Sequence, residues 1–351
     1  MKLGLIGNCL FALLLVGCHS PLQVAETRPV GVLPVQTRPV RAASESAAVP
    51  WNLEQIELPS ASTGQSVVVA VLDTGIDAGH PAFQERVYAG IDLVGPDLYR
   101  ARSGQVDYSF RDGNGHGTHV VGIILAASAG FDVRVLPVKV IPCEGVGNDV
   151  ALARGIEAAL AWRDPSDPHT RVQVINLSLS SPEPSERLAG AIRRAAAEGA
   201  LLVAAAGNDG QSVSFPASME EVLTVGGTGL TGERVAYSSF GAPLDLLAPA
   251  GDDSAPIVSA WPTYLTVSDW QAAEVSREIW AGLIGTSMAA PHVSAAAAVL
   301  WGLEPSLSAM QVRARILAAT DDLNLTGHDS QTGYGRLNLS RALRLSEHDL
   351  H

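Results

Sequence analysis

Three polar side chains in this chain sit where chemistry needs a group held in place. Ser287 lies in Gly-Thr-Ser-Met-Ala-Ala-Pro-His (285–292), at the mouth of a run, 293–303, that is small, apolar and uncharged. A helix that is hydrophobic all round belongs in a core, and its first turn offers Ser287 unbonded N–H groups and the positive end of the dipole, which favour negative charge. Serine is also a preferred helix cap, and on these residues alone both readings stand. Asp73 ends an apolar run and precedes Thr74-Gly75, the setting of a turn-former or of a working carboxylate. Two Asp-Thr-Gly loops together make a paired-carboxylate centre; the chain has no second Asp-Thr-Gly or Asp-Ser-Gly, which excludes a dyad within it. His116 stands among Gly113, Gly115 and Gly117, which free the backbone to place an imidazole. His119 is three residues on, but no Glu accompanies the pair as in His-Glu-x-x-His and no Cys is near. It reads as a packed structural residue, and no metal is expected.

The elements that must position these residues alternate in type. Short apolar runs at 66–72, 133–141, 172–177, 201–206, 222–225 and 244–247 read as strands, and the stretches 118–128, 149–162, 186–198 and 308–319 carry apolar residues at helical spacing. Strand and helix in alternation predict an α/β fold: a doubly wound, mostly parallel sheet with helices on both faces. Ligands of such sheets gather at the carboxyl ends of the strands. Asp73 falls at one of them.

The chain has 351 residues, 47% of them hydrophobic, enough for a sizeable core, and a formal net charge of -13. That charge, without any cluster of Lys and Arg, argues against a nucleic-acid partner. Lys2 is followed by an apolar run, 3–16, too short to span a bilayer but suited to a signal-peptide core. Its end, Leu15-Val16-Gly17-Cys18, resembles the lipobox of bacterial lipoproteins. The resemblance implies cleavage before Cys18, acylation of that residue and a lipid anchor; His19 after the cysteine directs the product to the outer membrane where the source has one. An ordinary secretory signal and a secreted product are the alternative. Residues 20–48 contain Pro21, Pro29, Pro34 and Pro39 and a small repeat, Thr-Arg-Pro-Val at 27–30 and 37–40, with no sustained helical or strand period. They read as an extended tether. The expected division is 1–17 signal peptide, 18–48 tether and 49–351 one catalytic domain. With Cys9 lost and Cys18 acylated, Cys143 has no partner for an intramolecular disulfide. Asn-x-Ser/Thr triplets at Asn176, Asn324 and Asn338 are discounted as sugar acceptors.

Taken together and in this order, Asp73-Thr74-Gly75, His116-Gly117-Thr118-His119 and Gly285-Thr286-Ser287-Met288-Ala289-Ala290-Pro291-His292 make residues 49–345 resemble the subtilisin family of serine proteases. The resemblance implies a serine endopeptidase, with Ser287 as nucleophile, His116 as proton acceptor and donor, and Asp73 orienting the imidazole. It implies Asn208, in Gly-Asn-Asp-Gly (207–210), as side-chain donor to the oxyanion beside the Ser287 N–H. It also implies that Glu144, Gly145, Val146 and Gly147 on one side and Ser178, Leu179 and Ser180 on the other hold the substrate backbone as an added strand. Ala205, Gly207 and Ser214 would line the pocket for the residue before the cleaved bond, shallower here because Ser214 stands where the family often has glycine. Asp209 is either a lure for a basic side chain at its rim or a solvated turn carboxylate.

Departures from the family pattern add expectations. The helix after His119 runs through Ala126-Ala127-Ser128-Ala129-Gly130 straight to the next strand, without the loop that supplies a calcium site in many relatives. The stretch before residue 49 is too short for a folded inhibitory pro-domain. Residues 254–284, with Trp261, Trp270 and Trp280, form an enlarged segment, most simply a surface excursion around its own small apolar cluster or else a lip beside Ser287. The reading is an exported, lipid-anchored, monomeric endopeptidase that acts on polypeptides without metal or cofactor. A catalytically silent peptide-binding lipoprotein of the same fold is the alternative.

Overall fold

The computed structural model describes residues 27–33, 36–38, 49–59, 64–83, 85–95, 97–98, 106–107, 109–265 and 279–345. The signal run, Cys18 and Trp270 lie outside them. Two strands come first, β1 (Pro29–Val32) and β2 (Gln36–Arg38), then helix α1 (Trp51–Gln55) and β3 (Val67–Asp73). The chain continues through β4 (Ile91–Asp92), a two-stranded ribbon of β5 (Asp97–Leu98) and β6 (Val106–Asp107), α2 (His116–Ala127), β7 (Val133–Lys139), β8 (Val146–Asn148), α3 (Asp149–Ala161), β9 (Val172–Leu177) and β10 (Leu179–Ser180). There follow α4 (Glu186–Ala197), β11 (Leu201–Ala205), β12 (Val222–Thr228), β13 (Leu246–Pro249), β14 (Ile257–Ala260), β15 (Trp280–Ile284), and three helices. These are α5 (Thr286–Leu303), α6 (Ala309–Ala318) and α7 (Leu339–Arg344).

Seven strands in the order β13-β12-β11-β9-β3-β7-β4 make the central sheet, and every pairing in it is parallel. All seven residues of β3 are buried, as the run Val-Val-Val-Ala-Val-Leu requires of a strand covered on both faces. Side-chain alternation splits it. Val67, Val69 and Val71 join the core cluster that contains α2 and α5, while Val68, Ala70 and Leu72 join the one that contains α3 and α4. The doubly wound sheet with helices on both faces is thus present in a single body.

Helix α5 buries every residue except Leu303. Its alanines let it lie close to the sheet, and it supplies the largest share of the core on that face. The α3 and α4 helices open on Asn148 and Ser185, whose side chains accept the N–H groups of Ala151 and Leu188.

Two expectations are corrected. The stretch read as an extended tether carries β1 and β2, both paired to the body. Neither has a sequence period because each is short and gains its order from backbone bonds to strands far away in sequence. Among the described residues of 254–284, Trp261 does not sit in a cluster of the segment's own. That side chain, 2% exposed, belongs to the main core. It lies against Gly115, where an added Cβ would come within 2.3 Å of the indole. The flanks of this segment pair as an antiparallel hairpin, β14 with β15, packed on α2.

Candidate active site

Asp73 is the last residue of β3, an interior strand of the sheet, and is 1% exposed. Its Oδ1 lies 2.8 Å from His116 Nδ1 and also accepts the Thr74 N–H at 2.8 Å. His116 opens α2 and is 1% exposed. With Nδ1 donating to the carboxylate, Nε2 is the basic nitrogen, and it has no hydrogen-bond partner among the described residues. The loop before it adopts φ +102° at Gly115, a left-handed value that glycine takes without strain.

That loop is held by Asp112, a residue whose role the sequence did not disclose. Its carboxylate accepts the Thr74 hydroxyl, the N–H groups of Asn114, Gly115 and Thr118, and the Thr118 hydroxyl, all within 3.0 Å. Thr74 in turn accepts the Gly117 N–H at 3.0 Å, which ties the Asp73 loop to the first turn of α2. Asp followed two to three residues later by Gly is an Asx-turn signal. It marks a turn, but not the reach to Thr74.

Ser287 is the second residue of α5 and is fully buried. The N–H groups beside it are committed, Thr286 to Asn208 Oδ1 at 2.9 Å and Met288 to the Gly285 carbonyl at 2.9 Å. Its own N–H lies in the first turn, where the helix supplies no carbonyl four residues back. The Ser287 hydroxyl donates to the Ser178 carbonyl at 3.1 Å, not to His116 Nε2. Catalytic hydrogen bonds are often loose or diverted until a substrate is bound.

Pro291 explains a further contact. Having no N–H, it leaves the Ser287 carbonyl without its helical partner, and the Ser178 hydroxyl donates to that oxygen at 2.9 Å. Ser178 accepts from Asn176 Nδ2 at 3.0 Å, and Asn176 Oδ1 accepts the Ser294 hydroxyl at 2.8 Å. A buried chain of polar groups therefore joins the end of β9 to two turns of α5. Asn176, fully buried, has no access to a glycosylating enzyme in the folded protein.

Asn208 follows β11 by three residues. Its Oδ1 accepts from the Thr286 N–H and hydroxyl, at 2.9 and 2.8 Å, so the NH2 is the end that can serve an oxyanion. Asp209 Oδ1 takes the Gln211 N–H and the Ser239 hydroxyl, which is the turn role.

Ser178 lies between β9 and β10, and Leu179 and Ser180 form β10. Glu144 and Val146 are exposed, Gly145 is buried, and Gly147 lies in β8. Ala205 is the buried end of β11. Ser214 donates through both N–H and hydroxyl to the Ala206 carbonyl, at 2.9 and 3.1 Å. At Gly207 an added Cβ would stand 2.6 Å from Ser239 Oγ and 3.0 Å from Ser214 Oγ, so this wall is already close-packed.

Two more histidines are buried nearby. His119 Nε2 is 3.1 Å from both the Ile257 and Ala281 carbonyls, and burial pushes its pKa down to about 3. His292 lies 2.8 Å from the Met288 carbonyl through Nδ1 and 2.9 Å from Asn52 Nδ2 through Nε2, and burial pushes it down to about 4. Both are neutral structural groups. Among the described residues no group of three or more His, Cys, Asp or Glu is placed to hold a metal. The connection from α2 to β7 is five residues long, 128–132.

Comparison with known proteins shows the family. The model of the subtilase family matches residues 64–335. Subtilisin Savinase of Lederbergia lenta is 35% identical over 309 residues, covering 85% of this chain and 99% of the relative. An alkaline protease of Shouchella clausii is also 35% identical, over 85% of this chain and 70% of its own length. The minor extracellular protease Epr of Bacillus subtilis is 30% identical over 81% of this chain and 40% of its own. With the family's sheet and its three motifs gathered at one strand edge, the chain belongs to the subtilase family and is a subtilisin-like serine endopeptidase.

Proposed function

We propose that Asp73, His116 and Ser287 carry the reaction. The observation that supports this most is the buried 2.8 Å pair of Asp73 with His116, whose Nε2 is left unbonded. The Ser287 hydroxyl attacks the peptide carbonyl and its proton passes to His116 Nε2. His116 then gives that proton to the leaving amine, the C–N bond breaks, and the acyl group stays on Ser287 as an ester. Water attacks the ester by the same route and restores the serine. Asp73 keeps the proton on Nδ1 and stabilises the imidazolium. Asn208 and the Ser287 N–H stabilise the oxyanion. Polypeptide substrates pair with residues 144–147 and 178–180, and Ala205, Gly207 and Ser214 wall the first pocket.

Residues from 49 onward would form the catalytic domain of a monomer. Export is supported by the apolar run 3–16 and by the extracellular setting in one relative's name; acylation of Cys18 by the lipobox-like Leu-Val-Gly-Cys. No helix among the described residues is long and apolar enough to cross a membrane. A fluorophosphonate should label the protein at Ser287 and leave Ser287→Ala blank; failure to label folded wild-type protein would sink the assignment. Mass analysis of the mature N-terminus should find a triacylated or diacylated Cys18, and an unmodified start beyond it refutes the anchor.

A further inference from the structure

Lys139 ends β7 with a cation shut away from water, the residue being 1% exposed. A buried ammonium is costly to desolvate, and a fold keeps one only where bonds and opposite charges offset that cost.

Its place follows from the strand register. Asp73 and Lys139 are Cα partners at the carboxyl ends of the parallel strands β3 and β7. Side chains alternate between the two faces of a sheet, and Val69 and Val71, like Val133 and Val135, belong to the core packed by α2 and α5. Asp73 lies two residues beyond Val71 and Lys139 four beyond Val135, so both fall on that same face. They are lateral neighbours, one strand spacing of about 4.8 Å apart.

From there Nζ donates to the Thr74 carbonyl and to the Arg111 carbonyl, both at 2.9 Å. Thr74 follows Asp73. Arg111 precedes Asp112, whose carboxylate braces the loop that leads into His116. The ammonium therefore stands at the junction of the loop that presents the carboxylate and the loop that presents the imidazole. Strand β7 grips the first of these loops twice. The N–H groups of Val140 and Ile141 donate to the Asp73 carbonyl at 2.9 and 3.1 Å, and the Lys139 side chain takes the next carbonyl along.

A neutral donor would satisfy a carbonyl; a cation adds charge. Asp73 and Asp112, 1% and 0% exposed, both hold Thr74, one through its N–H and the other through its hydroxyl. Two carboxylates buried on one residue repel each other, and a cation on that residue's carbonyl offsets the repulsion.

We propose that Lys139 is a positioning residue for the reaction: its ammonium locks the Asp73 loop to the His116 loop and so holds the carboxylate at bonding distance from Nδ1. The proposal rests on the reading of Asp73 and His116 as reacting partners, and it gives Lys139 no contact with substrate. A carboxylate out of place would leave the substrate-binding edges intact, so the loss falls on kcat and not on KM.

The test uses Lys139→Met, which removes donors and charge at similar length, and Lys139→Arg, which keeps both. Thermal unfolding checks that each variant is folded. Lys139→Met should lower kcat on a fluorogenic peptide roughly 10²-fold, the cost of about 1 Å of misplacement, with KM within about twofold of wild type. Labelling of Ser287 by fluorophosphonate should slow alike, and Lys139→Arg should recover most of both losses. A double-mutant cycle separates positioning from packing: in an Asp73→Ala background there is no carboxylate to place, and Lys139→Met should change kcat by less than about threefold. An unchanged kcat in Lys139→Met overturns the proposal. So does an equal loss with and without Asp73, which would make Lys139 a packing residue. A rise in KM at unchanged kcat also overturns it, because the effect would then lie in the edge at 144–147. If Lys139→Met does not fold, Lys139→Gln, a neutral donor without the charge, takes its place in the cycle under the same outcomes. Failure of folded wild-type protein to label would strike the reading of Asp73, His116 and Ser287 itself, and the proposal falls with it.

Discussion

His116 and His119 are one turn apart on the same helix, and their surroundings are opposite. His116 faces a carboxylate through Nδ1 and has an unbonded Nε2. His119 turns Nε2 to two backbone carbonyls of the β14–β15 hairpin, and burial holds it neutral. The first imidazole has a partner that gains from its becoming charged; the second has only neutral acceptors and nowhere for a charge to be compensated. Residue type and burial are alike in the two. What separates the histidine proposed to react from the structural one is the strand end that meets it: the carboxyl end of β3 for His116, the flank of a hairpin for His119.

Substitution at the two positions should break the pair apart most visibly. His116→Ala is expected to lower kcat about 10⁶-fold, the magnitude known for loss of the histidine in subtilisin itself, with little change in urea midpoint. His119→Gln should stay within about tenfold of wild-type kcat while losing roughly 1–3 kcal/mol of stability, as a buried bonded group is disturbed. Comparable losses of kcat in both variants would refute the division of roles. Asn208→Ala should cost about 10²- to 10³-fold in kcat, again subtilisin's own figure. KM should move little, and a loss confined to KM would remove Asn208 from the oxyanion site.

The two neutral histidines, His119 and His292, carry a pH dependence of stability. His119 and His292 have folded pKa values of about 3 and 4, below the unfolded value near 6.5. Between pH 6.5 and 4 the unfolded chain binds protons that the native one refuses, so their contribution is complete above about pH 6.5 and is lost as pH falls. At pH 5 the loss should be on the order of 1–2 kcal/mol for each group. Urea unfolding at pH 7.5 and pH 5 measures it, and His292→Gln should flatten the slope; an unchanged slope refutes the assignment. The smallest effect is expected at Ser178→Ala, roughly 1–2 kcal/mol in stability, accompanied by a fall in kcat because the Ser287 carbonyl loses its partner. A fall in stability alone would make Ser178 a packing residue only.

Much of this was legible beforehand, for reasons the same residues show. The strand 172–177 was read to the residue, and α3 and α4 to within one, because β-branched runs and helical spacing are local signals. Asp73, His116 and Ser287 announced themselves by glycine-rich turns at element ends. Asp112 gave only the sign of a turn: four of its five donated bonds come from residues 114–118, but the fifth, from the Thr74 hydroxyl 38 residues back, exists only once the fold brings the two loops together. The β14–β15 hairpin was missed because Ile257–Ala260 and Trp280–Ile284 lack polar alternation, being packed on α2 rather than half solvated. The strands β1 and β2 were read as tether because the prolines around them suggest extension, and extension is also what a strand needs. Which of the two a Pro-rich segment becomes depends on whether an open strand edge is waiting for it.

The missing N–H of Pro291 has a mechanical side. In an uninterrupted helix the carbonyl of Ser287 would be spent inside α5, and the nucleophile and the strand wall would be separate parts meeting at a surface. Here that carbonyl is the bolt hole. Ser178 fastens the end of β9 to it, and the edge along which a substrate strand would be measured continues from the same residue. On the proposed reading the ruler and the blade share one fastening, so a peptide seated along 178–180 would have its height over Ser287 set by the bond that joins Ser178 to the Ser287 carbonyl.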